Sequence, residues 1–467
     1  MTQDSESVET RPAPPPLKVV EQEPDPENPW ADDVLERKQV AERLTRIIEG
    51  QEVPFVISVD GQWGTGKTFL LKRWRQDLEN HEWQAIYFNA WKDDFSDDPL
   101  LAIIGQLSDY FDDGALKQLA LAVAGAALAV LTKHLTGTPV TLEDLKPEGL
   151  LAGYREQHKT KDLLKDELAS LASAVKDETG QPVVFIIDEL DRCRPTFAIE
   201  LLERVKHIFD VPNVVFVFGI NRSELVESLQ SVYGEIDAGI YLRRFFDMEL
   251  VLPEADIEKF CMWLFDVFGI KVFLDEMSRY AGNRVHSDEF HEMTLHAPPL
   301  FRALSLSLRD IDQIVRLIAL LGKTLEPQYY IYPPLLASLL SLKIIDRELY
   351  KQFIHRECSA GAVMDCFEQK YPALSARVKA EENVLKRIEL SLYCVEAGPA
   401  WEYLTDPSIR GEPDSVPENA FSRRTQADRG RLNELLKDAV GFFGTKRMNR
   451  TSLAHIAKMI DLYQAGA

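Results

Sequence analysis

The stretch FVISVDGQWGTGKTFLLKRWR, residues 55–75, decides the fold of this chain. It opens with an apolar run that is typical of a buried parallel strand, and the apolar residues after the lysine recur at helical spacing. Between these two elements, Gly61 to Thr68 satisfies the pattern G-x-x-x-x-G-K-[ST]. A strand before the pattern and a helix after it are the surroundings that it requires. The stretch therefore predicts a phosphate-binding loop.

Each part of this loop has a chemical reason. Glycines allow a tight turn whose N–H groups point at a polyphosphate, and the following helix N-terminus favours anions. Lys67 is expected to contact the β- and γ-phosphates as a point charge, and the Thr68 hydroxyl is expected to be a Mg²⁺ ligand. The predicted nucleotide contacts are Gly61, Gln62, Trp63, Gly64, Thr65, Gly66, Lys67, Thr68 and Phe69.

A second motif, PVVFIIDELDRCRP at residues 182–195, places two acids after another apolar strand. Beside a phosphate-binding loop, Asp188 would hold Mg²⁺ through its water shell. The adjacent Glu189 is the natural residue to polarise an attacking water. Two acids after a strand can also be a helix N-cap, but pairing with the phosphate-binding loop favours the metal and water roles.

Three further apolar runs, at residues 84–88, 213–220 and 247–253, alternate with helical patterns. Together with the first two strands they predict a parallel five-stranded α/β sheet with its site at the carboxyl ends of the strands. Asn221 follows one of these strands, where it would sense the γ-phosphate or the attacking water. An asparagine in an ordinary turn is the alternative.

Composition limits the partners and the compartment. The 467 residues suffice for two or three domains, and 75 acidic against 53 basic side chains give a net charge of −22. That charge disfavours nucleic acid and anionic membrane surfaces as partners. The 5 cysteines are scattered without metal-ligand spacing, which predicts reduced thiols and a cytoplasmic location.

The sequence also predicts a division into regions. Residues 1–28 form an acidic, proline-rich arm of disordered composition, and residues 29–253 form the α/β core with a helical insertion at about 105–178. Residues 254–325 are a helical lid and residues 326–467 a helical C-terminal region. The apolar run Leu119–Leu131 spans 13 residues, too few for a membrane helix, so a buried or partner-binding helix is expected and a membrane anchor is not.

Two local expectations concern element boundaries. The pattern PWADDVLERKQVAERLTRIIEG, residues 29–50, predicts an amphipathic helix that ends at Gly50. The segment SRYAGNRVHSDEFHEMTLHAPP, residues 278–299, is predicted to be a loop. Its histidines, His286, His291 and His296, lack metal-ligand spacing and are expected to be exposed.

Four ordered motifs carry a family resemblance. They are FNAWKDDFSDDPLLAIIGQL, IIDELDRCRP, VVFVFGINRSEL and YLRRFFDMELVLP. Together they resemble the KAP family of P-loop NTPases over roughly residues 25–345. The resemblance implies an ASCE-type ATPase core, related to AAA+ and STAND ATPases, with an added strand between the two phosphate-site strands. It also implies ATP and Mg²⁺ as cofactors and, in bacteria, a frequent link to phage defence.

Arginines complete the implied site. An arginine finger from a neighbouring subunit stabilises charge on the γ-phosphate, and Arg243 is the favoured candidate, with Arg192, Arg194 and Arg244 as others. Any of them could instead make a local ion pair. Related ATPases place a lid arginine over the nucleotide, which corresponds to Arg309 here.

The function implied is an ATPase, converting ATP and water to ADP and phosphate, that couples nucleotide state to conformational change or assembly. A homo-oligomer and a partner effector protein are expected. The alternative is a signalling scaffold that binds ATP, turns it over negligibly and recruits an effector.

Overall fold

In a computed structural model, the chain is described at residues 23–95, 99–111, 165–166, 168–208, 210–280, 289–324 and 333–370, and at residues 388, 389, 392 and 460. These residues divide into two compact units, one within Gln22–Glu254 and the other from Ala255 onward. The apolar run Leu119–Leu131, most of the predicted insertion and the arm up to residue 22 lie outside the described residues.

The first unit alternates strands and helices along the chain. Its elements are α1 (Arg37–Ile48), β1 (Phe55–Asp60), α2 (Lys67–Asn80), β2 (Ala85–Asn89), α3 (Pro99–Phe111), β3 (Val183–Asp188), α4 (Pro195–Ile208), β4 (Val214–Ile220), α5 (Arg222–Tyr233), α6 (Ala238–Leu242) and β5 (Met248–Val251). A helical stretch over 168–179 precedes β3, and a 3₁₀ turn, Leu190–Arg192, follows it.

The five strands form one parallel sheet in the order β2-β3-β4-β1-β5. The predicted five-stranded parallel sheet is confirmed, and β4 is the strand inserted between β1 and β3. The register pairs Asp188 with Asn89 on one side and with Gly219 on the other. The phosphate-binding loop follows β1, and the two acids stand at the end of β3. They therefore lie at the same edge of the sheet, the carboxyl edge.

The central strands are buried on both faces of the sheet, which explains why β3 and β4 are continuous apolar runs in the sequence. One face carries side chains such as Phe185, Phe216 and Phe218, which pack with residues of α3, α4 and α5. The other face carries alternating neighbours such as Ile186 and Val217, which pack with residues of α1 and α2. Helices on both faces hold the carboxyl edge of the sheet as a rigid base for the site.

Helix α1 begins later than its apolar spacing predicts. It starts at Arg37, and residues 29–36 form turns. The Asp33 carboxylate accepts hydrogen bonds from the backbone N–H groups of Arg37 and Lys38, at 2.8 and 2.7 Å, and Glu36 has a positive φ of 56°. The prediction of a helix from Pro29 was wrong because a carboxylate in the turn caps the helix further along the chain.

The described elements of the second unit are all helices. Its elements are α7 (Ile257–Val267), α8 (Ile270–Tyr280), α9 (Glu289–Ala303), α10 (Leu308–Thr324), α11 (Pro333–Ile345), α12 (Arg347–Ile354) and α13 (Ala360–Lys370). Every residue of α11 from Pro333 to Lys343 is buried, so this helix is the centre of the unit. None of the helices within the described ranges combines the length and apolarity that a bilayer crossing requires.

The predicted histidine loop is partly wrong. Helix α9 contains His291 and His296, whereas His286 lies outside the described residues. His291 is exposed, but His296 is 1% exposed and its Nδ1 contacts the Glu292 carbonyl oxygen at 2.7 Å. In the described part of the chain, no group of three or more His, Cys, Asp or Glu side chains could hold a metal ion.

Candidate functional site

The phosphate-binding loop joins β1 to α2 at the carboxyl edge of the sheet. Gly64 and Gly66 have positive φ values of 77° and 90°, a conformation that favours glycine. Gly66 is the N-cap of α2, so Lys67 and Thr68 occupy the first turn of that helix. The Lys67 ammonium is buried and donates to the carbonyl oxygens of Gly61 and Gln62, the latter at 3.1 Å.

Asp188 ends β3 directly beside this helix turn. Its side chain is fully buried and hydrogen-bonds with the Thr68 side chain, the Tyr87 hydroxyl at 2.8 Å and the Glu189 backbone N–H at 2.9 Å. Burial raises the pKa of Asp188, and the bonds from Thr68 and Tyr87 oppose that rise. Gly219 in β4 permits the packing, since a Cβ there would lie 2.6 Å from Asp188 Oδ1.

Glu189 turns the chain sharply after β3. Its φ of 61° is left-handed, which is uncommon for a residue other than glycine. Its carboxylate makes an ion pair with Arg192 Nη1 at 2.5 Å and accepts a hydrogen bond from Asn89 Nδ2 at 3.0 Å. The residue predicted to activate water is thus held by two neighbours, one on the turn after β3 and one at the end of β2.

Asp191, which the sequence interpretation missed, connects two parts of the site. One carboxylate oxygen accepts from the Trp63 indole N–H in the phosphate-binding loop, and the other accepts from the Asn221 backbone N–H at 2.9 Å. Asn221 is the N-cap of α5, and its side-chain oxygen accepts from the Ser223 hydroxyl at 2.7 Å. A third acid in the motif DELDR was the available signal for Asp191.

The electrostatics of the site centre on Lys67. Burial lowers the pKa of this lysine, while the charges of Asp191, Asp188 and Asp60 raise it. The Lys67 ammonium, bonded to the carbonyl oxygens of Gly61 and Gln62, is the positive charge that an anion entering the loop would meet. An ammonium at a helix N-terminus is suited to a phosphate group.

Comparison with known proteins agrees with this geometry. A model described as the KAP family P-loop domain matches residues 37–322, more than half of the chain. The chain belongs to the KAP family of P-loop NTPases. A search of curated proteins finds no matching sequence.

Several solved structures resemble this KAP protein at low identity. The ORC2 protein of Aeropyrum pernix, in ADPNP and ADP complexes, is 15% identical, with 87% of this chain and 94% of that chain covered and a TM-score of 0.34. PCH-2 of C. elegans is 17% identical, with coverages of 69% and 70% and a TM-score of 0.28. AMPPCP-bound DnaA from Aquifex aeolicus is 12% identical, with coverages of 76% and 93% and a TM-score of 0.23. Likenesses this distant carry no information on function.

Arg37 is a second residue of the KAP site that sequence interpretation missed. Its side chain is 1% exposed and donates to the carbonyl oxygens of Pro253, at 2.8 Å, and Thr65, at 2.9 Å. Burial lowers the pKa of Arg37, and the nearby Asp33 charge opposes that effect. Arg37 therefore ties the phosphate-binding loop to the chain that leaves β5.

The remaining predicted contacts lie around the loop. The Thr65 hydroxyl donates to the Gln62 carbonyl oxygen at 2.8 Å, which tightens the turn. Phe69, on the first turns of α2, lies under the Arg73 guanidinium at 3.5 Å from the ring centroid. Arg73 in turn pairs with Asp32, with contacts of 3.0 and 2.6 Å. Phe69 is thus part of the packing that supports the loop, and its contact with nucleotide stays a prediction.

The arginine candidates separate by position. Arg192 pairs with Glu189 and Arg194 pairs with Asp94. Arg243 and Arg244 follow α6 and are exposed. They precede β5, at the amino edge of the sheet, because the Asp247 backbone N–H bonds to the Val56 carbonyl oxygen at the start of β1.

Neither Arg243 nor Arg244 therefore lies at the carboxyl edge that holds the phosphate-binding loop of its own chain. Arg309 is exposed near the start of α10, in the second unit. Its predicted contact with nucleotide stays a prediction.

Proposed function

We propose that this KAP domain is a Mg²⁺-dependent ATPase that converts ATP and water to ADP and phosphate. One observation carries the proposal. The first turn of α2, with Lys67 and Thr68, lies against the end of β3, where Asp188 and Glu189 stand side by side. A phosphate-binding turn beside a metal-binding acid and a water-activating acid is the arrangement that phosphoryl transfer to water requires.

The residues present fit Mg²⁺ and a nucleotide. Thr68 and Asp188 supply the hard oxygen ligands that Mg²⁺ prefers, and they already hydrogen-bond to each other. The loop glycines leave a cradle, since a Cβ on Gly61 would lie 2.8 Å from Thr65 Oγ1. When bound, Mg²⁺ would neutralise charge that develops on the phosphates.

The chain's own residues would each have one task. Lys67 would exchange the carbonyl oxygens of Gly61 and Gln62 for phosphate oxygens, remaining the counter-charge inside the loop. Glu189 would orient the attacking water and accept its proton, once its carboxylate is free of Arg192. Asn221, at the end of β4, would hydrogen-bond with the γ-phosphate or that water.

The test is phosphate release by the purified protein with and without Mg²⁺, combined with nucleotide titration. Lys67→Ala should abolish nucleotide binding. Glu189→Gln should retain ATP binding and lower turnover by at least about 100-fold, since it removes the group that accepts the proton. Mg²⁺-independent release, or a Glu189→Gln variant as active as the wild type, would refute the hydrolytic proposal.

A second function is favoured by one specific contact pattern. Both Asn89 and Arg192 hold the Glu189 carboxylate, an arrangement that suits a scaffold which binds ATP and rarely hydrolyses it. In that case nucleotide binding would gate recruitment of an effector by the helical C-terminal region. Turnover separates the two functions, because the scaffold predicts ATP binding with negligible phosphate release in both the wild type and Glu189→Gln.

The wider setting is proposed from the family resemblance and the composition. The protein would act in the cytoplasm as a homo-oligomer with an effector partner, in a bacterial defence system against phage. Arg243 would serve the site of a neighbouring subunit, which suits its exposed position before β5. Arg309 would serve as the lid arginine. Light scattering with and without ATP tests assembly, and plaque assays on cells with Lys67→Ala test defence.

The region boundaries belong to the same proposal. Residues 1–28 would be the arm, 29–253 the core, 254–325 the lid and 326–467 the C-terminal region. Limited proteolysis with and without ATP tests this division, because cleavage should concentrate near the boundaries and be reduced at the lid by nucleotide.

A further inference from the structure

Asp191 occupies a position that the proposed chemistry does not use. The carboxylate is 7% exposed and lies in the 3₁₀ turn that follows Glu189. Its two oxygens accept from two different segments, the Trp63 indole N–H of the phosphate-binding loop and the Asn221 backbone N–H at the end of β4. One side chain therefore joins the loop, the turn after β3 and the residue expected to sense the γ-phosphate.

We propose that Asp191 is a positioning residue that locks the phosphate-binding loop, through Trp63, to the strand end that carries Asn221. In this role it would act on the nucleotide through Trp63 and Asn221 and not by direct contact. Its effect is to present the loop and Asn221 to the nucleotide in a fixed relative geometry, so that triphosphate is distinguished from diphosphate. The inference rests on the proposed binding of ATP.

The charges around Lys67 support this role. Burial lowers the pKa of Lys67, and three nearby carboxylates raise it. Asp191 makes the largest contribution of the three, ahead of Asp188 and Asp60. Trp63 is 44% exposed, so its indole is anchored more by this bond than by packing. The same carboxylate thus fixes the loop and balances the charge of the loop lysine.

Two substitutions separate the halves of the link. Trp63→Phe removes the indole N–H and keeps an aromatic ring, leaving the bond from Asn221 intact. Asp191→Asn keeps the shape but removes the negative charge and one of the two acceptor oxygens. Both bonds are then weakened, because the Trp63 and Asn221 N–H groups share a single neutral oxygen. The matched control is Trp91→Phe, which changes a 52% exposed tryptophan outside the loop.

The experiment measures the affinities of ADP and of a non-hydrolysable ATP analogue by calorimetry, with and without Mg²⁺. Loss of a hydrogen bond to a charged acceptor predicts that Trp63→Phe weakens both ligands by about tenfold. Asp191→Asn should also weaken the binding of both ligands and reduce the preference for the triphosphate by a further factor of about ten, because the bond that anchors Asn221 is weakened. Trp91→Phe should bind as the wild type does.

A double-mutant cycle decides whether the link is real. In the Asp191→Asn background, Trp63→Phe should have little further effect, because the bond that it removes is already disturbed. Independent, multiplicative effects of the two substitutions would overturn the proposal, and so would wild-type affinity in Trp63→Phe. Circular dichroism and thermal melting show whether Asp191→Asn folds. If it does not, the affinity of Trp63→Phe alone still tests the proposal.

The outcomes also distinguish this inference from the proposed function. A wild-type protein that binds neither ligand would overturn both proposals. Wild-type binding that Lys67→Ala abolishes, with an unchanged triphosphate preference in a folded Asp191→Asn variant, would overturn the positioning role alone.

Discussion

Gly219 illustrates how a single residue with no functional group can control this site. It lies in β4 beside Asp188, and a Cβ there would come within 2.5 Å of Leu71 Cδ1 and 2.6 Å of Asp188 Oδ1. We expect Gly219→Ala to lower the free energy of unfolding by about 1–3 kcal/mol, since side chains must move in a packed core. Displacement of Asp188 should also weaken Mg²⁺-dependent nucleotide binding. Urea denaturation and calorimetry measure the two effects.

The matched control is Gly105→Ala in α3. A Cβ on Gly105 meets nothing within 4 Å, and alanine is the better helix former. We expect this variant to be as stable as the wild type or more stable by up to about 1 kcal/mol. Equal stabilities of the two alanine variants would contradict the steric account of Gly219.

Candidate site residues that stand next to a strand could be predicted from the sequence, whereas those defined by distant partners could not. Lys67 and Asp188 were predictable because each follows an apolar run at a fixed spacing. Arg37 was not, since one of its two partners is a carbonyl oxygen 216 residues away, at Pro253. Asp191 could be read only as part of a charged turn, because its bonds to Trp63 and Asn221 exist only after the sheet has formed.

At the scale of elements, helix α12 depends on a cap that also ties it to α13. The Asp346 carboxylate accepts from the Leu349 backbone N–H at 2.9 Å and from the Lys370 ammonium at 2.9 Å. Asp346→Ala should lower the free energy of unfolding by about 1 kcal/mol at neutral pH, the usual cost of losing an N-cap. Chemical denaturation followed by circular dichroism measures this loss.

Stability measurements at acid pH distinguish the contribution of the Asp346 charge from that of its capping hydrogen bond. The hydrogen bond from Leu349 and the contact with Lys370 lower the pKa of this carboxyl below its ordinary value of 3.8. Because the folded protein holds the proton more weakly than the unfolded chain, the stabilisation is present above pH 3.8 and is lost as pH falls through the folded pKa. Asp346→Asn, which still caps, should be intermediate at neutral pH. A deficit of Asp346→Ala that persists unchanged in acid would contradict this account.

Element boundaries are less predictable from the sequence than the strands themselves. Strands β3 and β4 were predictable because burial on both faces gives each an uninterrupted apolar run. The sequence predicts a loop over residues 278–299, but helix α9 begins at Glu289 and contains Pro298 and Pro299, which usually break helices. The apolar residues Met293, Ala297 and Phe301 recur at helical spacing and are buried, and tertiary packing stabilises the helix despite the two prolines.

For the whole molecule, the KAP fold accounts for the order of the strands in the sheet. It does not determine whether two copies of the protein assemble. Arg243 lies at the amino edge of the sheet and the phosphate-binding loop lies at the carboxyl edge. A finger role for Arg243 would therefore require a second copy of the protein. The net charge of −22 opposes close association of two copies of the protein. The Arg243 guanidinium of one copy, placed against the acidic site of the other, would favour association locally.

Mixing of inactive variants tests this shared site. Lys67→Ala lacks the phosphate contact and Arg243→Ala lacks the finger, so each alone should have at least about 100-fold lower turnover. In a mixed oligomer, the loop of an Arg243→Ala subunit can face the intact Arg243 of a Lys67→Ala neighbour. We therefore expect the mixture to release more phosphate than either variant alone, up to about a quarter of wild-type activity if subunits pair at random and each site acts independently.

The control for mixing is Arg244→Ala. The Arg244 guanidinium lies 5.9 Å from the Tyr241 ring centroid, a local contact that does not require a second subunit. This variant should retain most activity, and mixing it with Lys67→Ala should produce no gain beyond its own share. A mixture of Lys67→Ala and Arg243→Ala that stays as inactive as its components, while light scattering shows mixed oligomers, would place Arg243 outside the catalytic site. Recovery of activity would instead mean that each site is completed by two chains, because no other pairing in the mixture contains both groups.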